Sequence, residues 1–256
     1  MIEEITPAKG EEKYKAAFLT GCLMNVMFAD INKDTVDVLS ACGCEVISPK
    51  EQVCCGSLPG HNGDFETAKQ LAKKNIDVFS KYNFDYIILN SAGCGAFMKE
   101  YGHLFKDDAK YAKRAEEFSK KVKDISEFID EIKPNVFKNI VSEDITYHDA
   151  CHLAHTQKIV NEPRNMLDMI PGLNQKPLEE STWCCGSAGI YNIVRYEDSM
   201  KILERKMDNI KNTNAKIVLT GNPGCISQLK YGAEKFNVNV EVLHPVSILK
   251  KSIDEK

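Results

Sequence analysis

The sequence predicts an α/β protein of two repeated domains, each a small parallel sheet covered by helices, with cysteine loops at the carboxyl edge of the sheet. Two observations lead to this class. Four cysteine positions recur at a nearly constant offset, and each copy alternates short apolar strand patterns with amphipathic helix patterns. Such alternation is typical of parallel sheets, because parallel strands must be joined by crossovers that are usually helical.

The repeat is most evident in the cysteines. The two sets lie at offsets of 129, 130, 130 and 131 residues: Cys22, Cys54, Cys55 and Cys94 in the first copy, and Cys151, Cys184, Cys185 and Cys225 in the second. Their flanks repeat as well, since Val-Cys-Cys-Gly-Ser at 53–57 corresponds to Trp-Cys-Cys-Gly-Ser at 183–187. Self-similarity on this scale indicates two copies of one domain.

The elements of the first copy follow in order. Residues 16–20 form an apolar strand that ends at Gly21-Cys22, and residues 34–41 have helical spacing. A second strand over 45–48 leads to the Cys-Cys pair. A helix then presents apolar residues between 65 and 79 on one face, and a third strand over 86–89 delivers Cys94.

The second copy repeats these patterns, with a helical face over 202–210 and a strand over 217–219 before Cys225. Between the copies, apolar spacing over 115–132 predicts one long amphipathic helix, ended by Pro134. We therefore expect a first domain over 1–138, with residues 1–15 as a linker-like leader, and a second domain over 139–256.

Composition narrows the class of function. The net charge of −4 gives no basic excess for binding nucleic acid, and no apolar run approaches the roughly 18 residues of a membrane helix. The N-terminus lacks the apolar region of a signal peptide. These features predict a cytoplasmic protein, associated with a membrane only through partners. Because disulfides are disfavoured in the cytosol, ten cysteines indicate metal binding or redox chemistry.

Iron–sulfur clusters are the favoured interpretation of the eight repeated cysteines. Structural zinc sites usually contain C-x₂₋₄-C pairs, and the chain has no C-x-x-C sequence. Adjacent cysteines are also easier to accommodate on a cluster of several irons than around one tetrahedral ion. Zinc in one or both sites and free redox thiols stay open as alternatives. Cys42 and Cys44 have no counterparts in the second copy and are expected in the core.

Three histidines surround Cys151: His148, His152 and His155. The first copy has no histidine there, so we expect them to surround the ligands or to be structural rather than to bind metal themselves. No nucleotide-binding glycine motif supports a flavin or nicotinamide site. Without its own hydride acceptor, the chain is expected to relay electrons, and no residue is assigned a catalytic role.

Several motifs resemble the tandem cysteine-rich CCG domain family. They include Cys-Cys-Gly at 54–56 and 184–186, Ser-Ala-Gly-Cys at 91–94, Tyr-His-Asp-Ala-Cys-His at 147–152 and Gly-Asn-Pro-Gly-Cys at 221–225. The family includes the cysteine-rich subunit of heterodisulfide reductase, lactate-utilisation proteins and the iron–sulfur subunit of glycolate oxidase, and the chain most resembles the last. The resemblance runs from about residue 16 to 250.

This resemblance implies an electron-transfer subunit of a 2-hydroxy-acid oxidoreductase. The eight repeated cysteines would hold up to two clusters, of the 4Fe–4S type. A flavoprotein partner would oxidise glycolate or lactate, and electrons would pass to a quinone or protein acceptor. A ferredoxin-like domain or subunit would complete the assembly. Because no ferredoxin-type cysteine run is present, we expect a shortened or naturally short member of the family.

The fuller family pattern ends in C-x-x-C, whereas Ser91 and Asn222 stand where the extra cysteines would be. That departure argues against the non-cubane clusters of heterodisulfide reductase and leaves both residues as neighbours of the ligands. A thiol–disulfide reductase of the heterodisulfide reductase kind is the alternative function. A zinc-binding docking module is the second alternative.

Overall fold

The computed structural model describes residues 2–253 and divides the chain into two compact units, Met1–Asn135 (unit 1) and Val136–Lys256 (unit 2). Each unit is a parallel sheet covered by helices, which confirms the predicted fold class. None of the helices within residues 2–253 combines the length and the apolar character that a membrane span requires.

Unit 1 contains a five-stranded sheet. Its strands are β1 (Ile5–Thr6), β2 (Tyr14–Phe18), β3 (Cys44–Ile47), β4 (Tyr86–Leu89) and β5 (Val122–Asp124). Its helices are α1 (Leu23–Met27), α2 (Ala29–Ala41), α3 (Ser57–His61), α4 (Phe65–Phe79), α5 (Ala92–Lys99), α6 (Tyr101–Leu104), α7 (Ala112–Lys120) and α8 (Ile125–Ile132). The apolar strands are buried because helices cover the sheet.

Unit 2 contains a four-stranded sheet. Its strands are β6 (Asp144–Tyr147), β7 (Asn174–Lys176), β8 (Ile217–Leu219) and β9 (Glu241–Leu243). Its helices are α9 (Glu162–Asp168), α10 (Tyr191–Val194), α11 (Tyr196–Asn212), α12 (Pro223–Lys235) and α13 (Pro245–Ser252). A π-helical turn spans His152–Thr156.

The two sheets share one topology. The order is β1-β3-β2-β4-β5 in unit 1 and β7-β6-β8-β9 in unit 2, and every pairing except that of β1 is parallel. Without β1, each unit therefore has the strand order second–first–third–fourth. The order reverses between the first and third strands, and ligands of open α/β sheets bind beyond the carboxyl ends of the strands at such a point.

The predicted long helix over 115–132 is wrong. It is two helices, α7 and α8, separated by strand β5, which pairs with β4. Asp124 ends the strand and caps α8: its carboxylate accepts the Ser126 N–H at 2.9 Å, and Glu127 completes a capping box. The apolar pattern is continuous in the sequence, but the helix is broken because residues 122–124 pair with the sheet and Asp124 begins a new helix.

The leader also departs from the expectation of a linker. Ile5 and Thr6 form β1 and pair antiparallel with Ile47 and Val46 of β3. The Ser40 hydroxyl donates to the Pro7 carbonyl at 2.7 Å, which fixes the segment against α2. The predicted boundary between 138 and 139 stays a prediction.

Candidate metal centre

In unit 1 the four repeated cysteines follow the carboxyl ends of three neighbouring strands. Cys22 precedes α1 after β2, Cys54 and Cys55 lie in the loop between β3 and α3, and Cys94 is in the first turn of α5 after β4. All four are free thiols. The parallel topology thus brings together four cysteines that are up to 72 positions apart in the sequence.

Their sulfurs form a connected group. The Cys22 and Cys54 Sγ atoms are 3.5 Å apart, and hydrogen bonds join Cys54 to Cys55 and Cys55 to Cys94. The Cys22 and Cys55 thiols donate to Cys54 and lower its pKa to about 2, whereas the same bond raises the pKa of Cys22. Cys22 is exposed and Cys55 is buried, so the group reaches from the interior to the surface.

Backbone amides face the sulfurs. The Gly56 N–H donates to Cys54 Sγ and the Ser57 N–H to Cys55 Sγ, both at 3.5 Å. Gly56 has φ +85°, and a Cβ there would lie 3.0 Å from the Ala68 carbonyl oxygen. Glycine is therefore required for this turn, which points two N–H groups at thiolate positions.

Side-chain amides hold the cysteine loops of unit 1. Gln52 accepts the Thr20 N–H at 2.8 Å and donates to the Phe18 carbonyl, which fixes the loop before Cys22. Asn75, fully buried on α4, accepts the Val53 N–H at 2.9 Å and donates to the carbonyls of Val53 and Cys54. These two uncharged side chains provide hydrogen-bond partners for backbone groups of the loops that would otherwise be buried without any.

Unit 2 repeats the arrangement. Cys151 follows β6, Cys184 and Cys185 follow β7, and Cys225 is in the first turn of α12 after β8. Hydrogen bonds join the sulfurs of Cys151, Cys184, Cys185 and Cys225 in that order. The pKa of Cys184 falls to about 2 because the Cys151 and Cys185 thiols and the Gly186 N–H, at 3.2 Å, all donate to it.

Ser91 and Asn222, the two predicted neighbours of the ligands, each contact the last cysteine of their set. The Ser91 hydroxyl donates to Cys94, and Asn222 Nδ2 lies 3.6 Å from Cys225 Sγ. Both bonds lower the pKa of the cysteine, together with the larger effect of the preceding cysteine thiol.

The three predicted histidines all lie beside the cysteine loops. His148 is buried, and one ring nitrogen lies within 4.8 Å of both Cys185 Sγ and Cys225 Sγ. His152 Nδ1 is 3.8 Å from Cys151 Sγ, and His155 Nε2 is 3.2 Å from the Thr182 carbonyl oxygen. The expected proximity is observed, and the roles of the three residues stay predictions.

Two features of unit 2 were missed from the sequence. Lys206 on α11 is fully buried and donates to the carbonyls of Glu180 and Ser181, just before Cys184. Arg164 forms a bidentate ion pair with buried Asp149, both bonds at 2.8 Å, beside the loop that carries Cys151. An alignment of the two copies would have indicated that Lys206 is buried, because it corresponds to Asn75 and both lie among apolar residues on one face of a helix.

Cys42 and Cys44 are buried, as expected. Cys44 begins β3, whereas the repeated cysteines follow the carboxyl ends of strands. Burial raises the pKa of Cys44 to about 12, so its thiol stays protonated. Neither residue belongs to the sulfur group of unit 1.

The donor set of each unit suits a soft metal centre. Each provides four cysteine sulfurs, and backbone N–H groups donate to both sulfurs of the Cys-Cys pair in unit 1 and to Cys184 Sγ in unit 2. Thiolates of this kind hold iron–sulfur clusters or zinc, and amide–sulfur hydrogen bonds tune the potential of a cluster. The residues present therefore fit an iron–sulfur centre in each unit.

Comparisons with known proteins agree with the repeat. A family described as the CCG cysteine-rich domain matches residues 16–99 and 145–230, which contain all eight repeated cysteines. The chain is 42% identical over 254 residues to a probable glycolate oxidase iron-sulfur subunit of Bacillus subtilis, covering 98% of this chain and 57% of that protein. The chain thus spans just over half the length of that relative.

Two further similarities were found, one in sequence and one in fold. A lactate utilization protein A of Shouchella clausii is 31% identical over 229 residues, covering 89% of this chain and 95% of that protein. A crystal structure of a hypothetical protein from Helicobacter pylori superposes with a TM-score of 0.66 at 13% identity, covering 100% of this chain and 52% of that one. The structural likeness shows the fold alone.

Proposed function

Because the chain belongs to the CCG cysteine-rich domain family, we propose that it holds up to two iron–sulfur clusters as a subunit of a 2-hydroxy-acid oxidoreductase. The observation that carries the proposal is the pair of equivalent four-sulfur groups, each with at least one backbone N–H that donates to its Cys-Cys pair. Relatives named as a glycolate oxidase iron-sulfur subunit and as lactate utilization protein A support the substrate class.

The proposed ligands are the eight repeated cysteines, four in each unit, and four thiolates per site suit a 4Fe–4S cluster. A bound cluster would accept and release single electrons at the potential that its surroundings set. Gly56, Ser57 and Gly186 would donate N–H groups to ligand sulfurs, and Ser91 and Asn222 would do the same beside Cys94 and Cys225. No residue of this chain is assigned to act on the hydroxy acid.

The proposed partner is a flavoprotein that oxidises glycolate or lactate. It would pass electrons to this chain and on to a quinone or protein acceptor, with a ferredoxin-like domain or subunit as a further carrier. The exposed Cys22 gives unit 1 a route for electrons at the surface. Ten free thiols suit a reducing compartment, which favours the cytoplasm. We also propose the domain boundary at 138/139.

Zinc is the second candidate, and one distance favours it. The 3.5 Å between the sulfurs of Cys22 and Cys54 is close to the edge of about 3.8 Å expected for thiolates around tetrahedral zinc at about 2.3 Å. A zinc-bound chain would be a docking module without redox chemistry. The heterodisulfide reductase alternative gains no support, because Ser91 and Asn222 occupy the positions that extra cysteine ligands would need.

Metal analysis of the anaerobically purified chain tests the proposal. Iron, sulfide and zinc would be quantified, and electron paramagnetic resonance spectra recorded before and after reduction. We expect several irons with matching sulfide and a signal that changes on reduction. Zinc near one per site without sulfide, persisting after anaerobic reconstitution with iron and sulfide, would contradict the proposal and favour the docking module.

A further inference from the structure

The two sulfur groups are alike in cysteines but differ in the residues that surround them. Gly56 faces Ala68 of α4 as Gly186 faces Ser199 of α11, and the offset of 131 between Ala68 and Ser199 pairs Asn75 with Lys206. The offset of 129 between Cys22 and Cys151 pairs Leu19 with His148. The side chains of both of these pairs are nearly or fully buried. Unit 2 therefore has a lysine where unit 1 has a neutral amide, and a histidine where unit 1 has a leucine.

Lys206 places a cation next to the loop that leads to the Cys-Cys pair of unit 2. Its ammonium donates to the carbonyls of Glu180 and Ser181 and is attracted by Cys185 and Cys184. Burial lowers the pKa of Lys206 to about 8, so it is still mainly charged at pH 7. In unit 1 the amide of Asn75 binds the corresponding loop without any charge.

His148 gives unit 2 a polar contact where unit 1 has only hydrocarbon. Its ring lies beside Cys185 and Cys225, and neither ring nitrogen has a nitrogen or oxygen partner within the described part of the chain. A buried imidazole N–H aimed at this group has ligand sulfur as its acceptor. Leu19, at the same place in unit 1, can donate no hydrogen bond.

The residues that cap the helices after β5 and β9 also make unit 2 less negative than unit 1. Asp124 is the last residue of β5 and caps α8, and His244 follows β9 directly and caps α13. Asp124 is a buried acid, whereas His244 carries no negative charge. The acids near Lys206 in unit 2, Asp149 and Glu180, attract its ammonium, but each is itself paired with an arginine, Arg164 and Arg205.

We propose that Lys206 and His148 make the unit 2 site the more oxidising of the two, so that the first electron delivered to the chain is held in unit 2. This inference rests on the proposed function. Reduction adds one negative charge to a cluster, and a nearby cation and an N–H donor to sulfur both stabilise that charge. One electron passes from an external one-electron reductant, which is oxidised, and no covalent bond forms or breaks.

The test is a redox titration of the full chain, reconstituted anaerobically with iron and sulfide, with dithionite as reductant and paramagnetic resonance as the readout. Cys54→Ala and Cys184→Ala, each removing a ligand of one unit, assign the signals. We expect the unit 2 signal at the higher midpoint potential. Lys206→Met and His148→Leu should each lower its reduction equilibrium constant about tenfold, or about 59 mV for one electron, and leave the unit 1 midpoint unchanged.

Two further variants make the test specific. Lys201→Met removes an exposed lysine from the same helix, α11, and should shift neither midpoint, because solvent screens a charge there. Leu19→His copies the unit 2 contact into unit 1 and should raise the unit 1 midpoint. It keeps the proposal testable if Lys206→Met fails to fold.

Three results would overturn the inference. The first is a higher midpoint for unit 1, and the second is an unchanged unit 2 midpoint in both Lys206→Met and His148→Leu with the cluster retained. In either case iron and sulfide are present, so the proposed function survives. The third is zinc without sulfide in the wild-type chain, which overturns the inference together with the proposed function.

Discussion

Ser91 and Asn222 are equivalent: each precedes the helix that carries the last cysteine of its set, and each donates a hydrogen bond to that cysteine. Their backbones are extended in the same way, with φ −140° and ψ 108° at Ser91 and φ −147° and ψ 128° at Asn222. Both donate to the cysteine three positions ahead. They occupy the N-cap position of a helix, but their side chains bond to a sulfur instead of to a backbone N–H. Each of the two cysteines therefore has a neutral hydrogen-bond donor at the start of its helix.

We expect Ser91→Ala to weaken metal retention in unit 1 without abolishing it. The hydroxyl donates to a thiolate, and a hydrogen bond to a charged group is worth about 1.5–3 kcal/mol, which corresponds to about tenfold to 150-fold faster release of iron to a chelator. The measurement is the rate of iron release followed by absorbance. Ser40→Ala, which removes a buried hydroxyl bonded to Pro7 in the same unit, should not change the rate. Equal rates in wild type and Ser91→Ala would show that the donor does not act on the centre.

Single cysteine substitutions should divide the chain into two independent centres. Cys55→Ala and Cys185→Ala each remove one buried sulfur, and each should lower bound iron by about half, because the four-sulfur groups do not share ligands. Iron and sulfide per chain are the measurement. Cys44→Ala, in the core of unit 1 away from the sulfur group, serves as the control and should retain full iron. Loss of iron in Cys44→Ala alone would contradict the assigned ligand set.

Gly186→Ala should disrupt the Cys-Cys turn of unit 2. Gly186 has φ +90°, and a Cβ would lie 2.7 Å from the Ser199 carbonyl oxygen. Positive φ alone costs about 1–2 kcal/mol for a non-glycine residue, and the clash with backbone adds to it. We expect unfolding free energy to fall by at least about 2 kcal/mol in denaturant titrations, with loss of the unit 2 metal.

Gly189→Ala is the matched control. Gly189 also has positive φ, +67°, but a Cβ there meets nothing within 4 Å. Gly189→Ala should therefore lower the unfolding free energy only by the cost of the positive φ. If both variants lose the same stability, then the close approach to Ser199 contributes nothing.

Asp124 should make the stability of unit 1 depend on pH. Burial raises its pKa from 3.8 to about 6 despite the hydrogen bonds from Ser126. The folded chain therefore binds a proton that the unfolded chain releases, so this group contributes stability at low pH that is lost as pH rises through about 6. From pH 7.5 to pH 5 the expected gain is about 1 kcal/mol.

Asp124→Asn keeps the capping function and removes the titration. Denaturant titrations of wild type and variant at pH 5 and 7.5 should show that the pH-dependent gain occurs in wild type alone. A gain of the same size in the variant would assign the effect to another group.

The ion pair of Asp149 and Arg164 should matter more than exposed pairs. Arg164→Met leaves the Asp149 carboxylate, only 2% exposed, without its cation. Breaking a buried pair costs about 3–5 kcal/mol, and because Arg164 is partly exposed we expect roughly 2 kcal/mol. Arg195→Met removes an exposed pair with Asp198 and should cost less than about 1 kcal/mol. Similar losses in the two variants would rule out a special role for the Asp149 pair.

The sequence predicted the fold class and the grouping of cysteines because both follow from local patterns and a visible repeat. The offset between Cys22 and Cys151 and between Cys94 and Cys225 was enough to predict two equivalent sites. The strand at 122–124 was missed, because Val122 and Ile125 fit a helical face and pairing with β4 is not encoded locally. The Asp124-x-x-Glu127 cap was the available signal.

The surroundings of the cysteines were harder to predict. A lysine is normally exposed, so Lys206 was not expected in the core until its carbonyl partners were seen. Gln52 and Asn75 bind backbone groups that are far from them in the chain. Such contacts depend on how loops meet in three dimensions, and side-chain type alone does not reveal them.

Strand β1 has a consequence for how the chain behaves in solution. It pairs with β3, whose Val46 and Ile47 are apolar, and so occupies that edge of the sheet. Without residues 2–10, the N–H and C=O groups of β3 would be open to strands of other molecules, which is how unprotected edges template aggregation. Pairing with β1 therefore protects β3 from pairing with strands of other molecules. In unit 2 the corresponding edge is the short polar strand Asn174–Lys176.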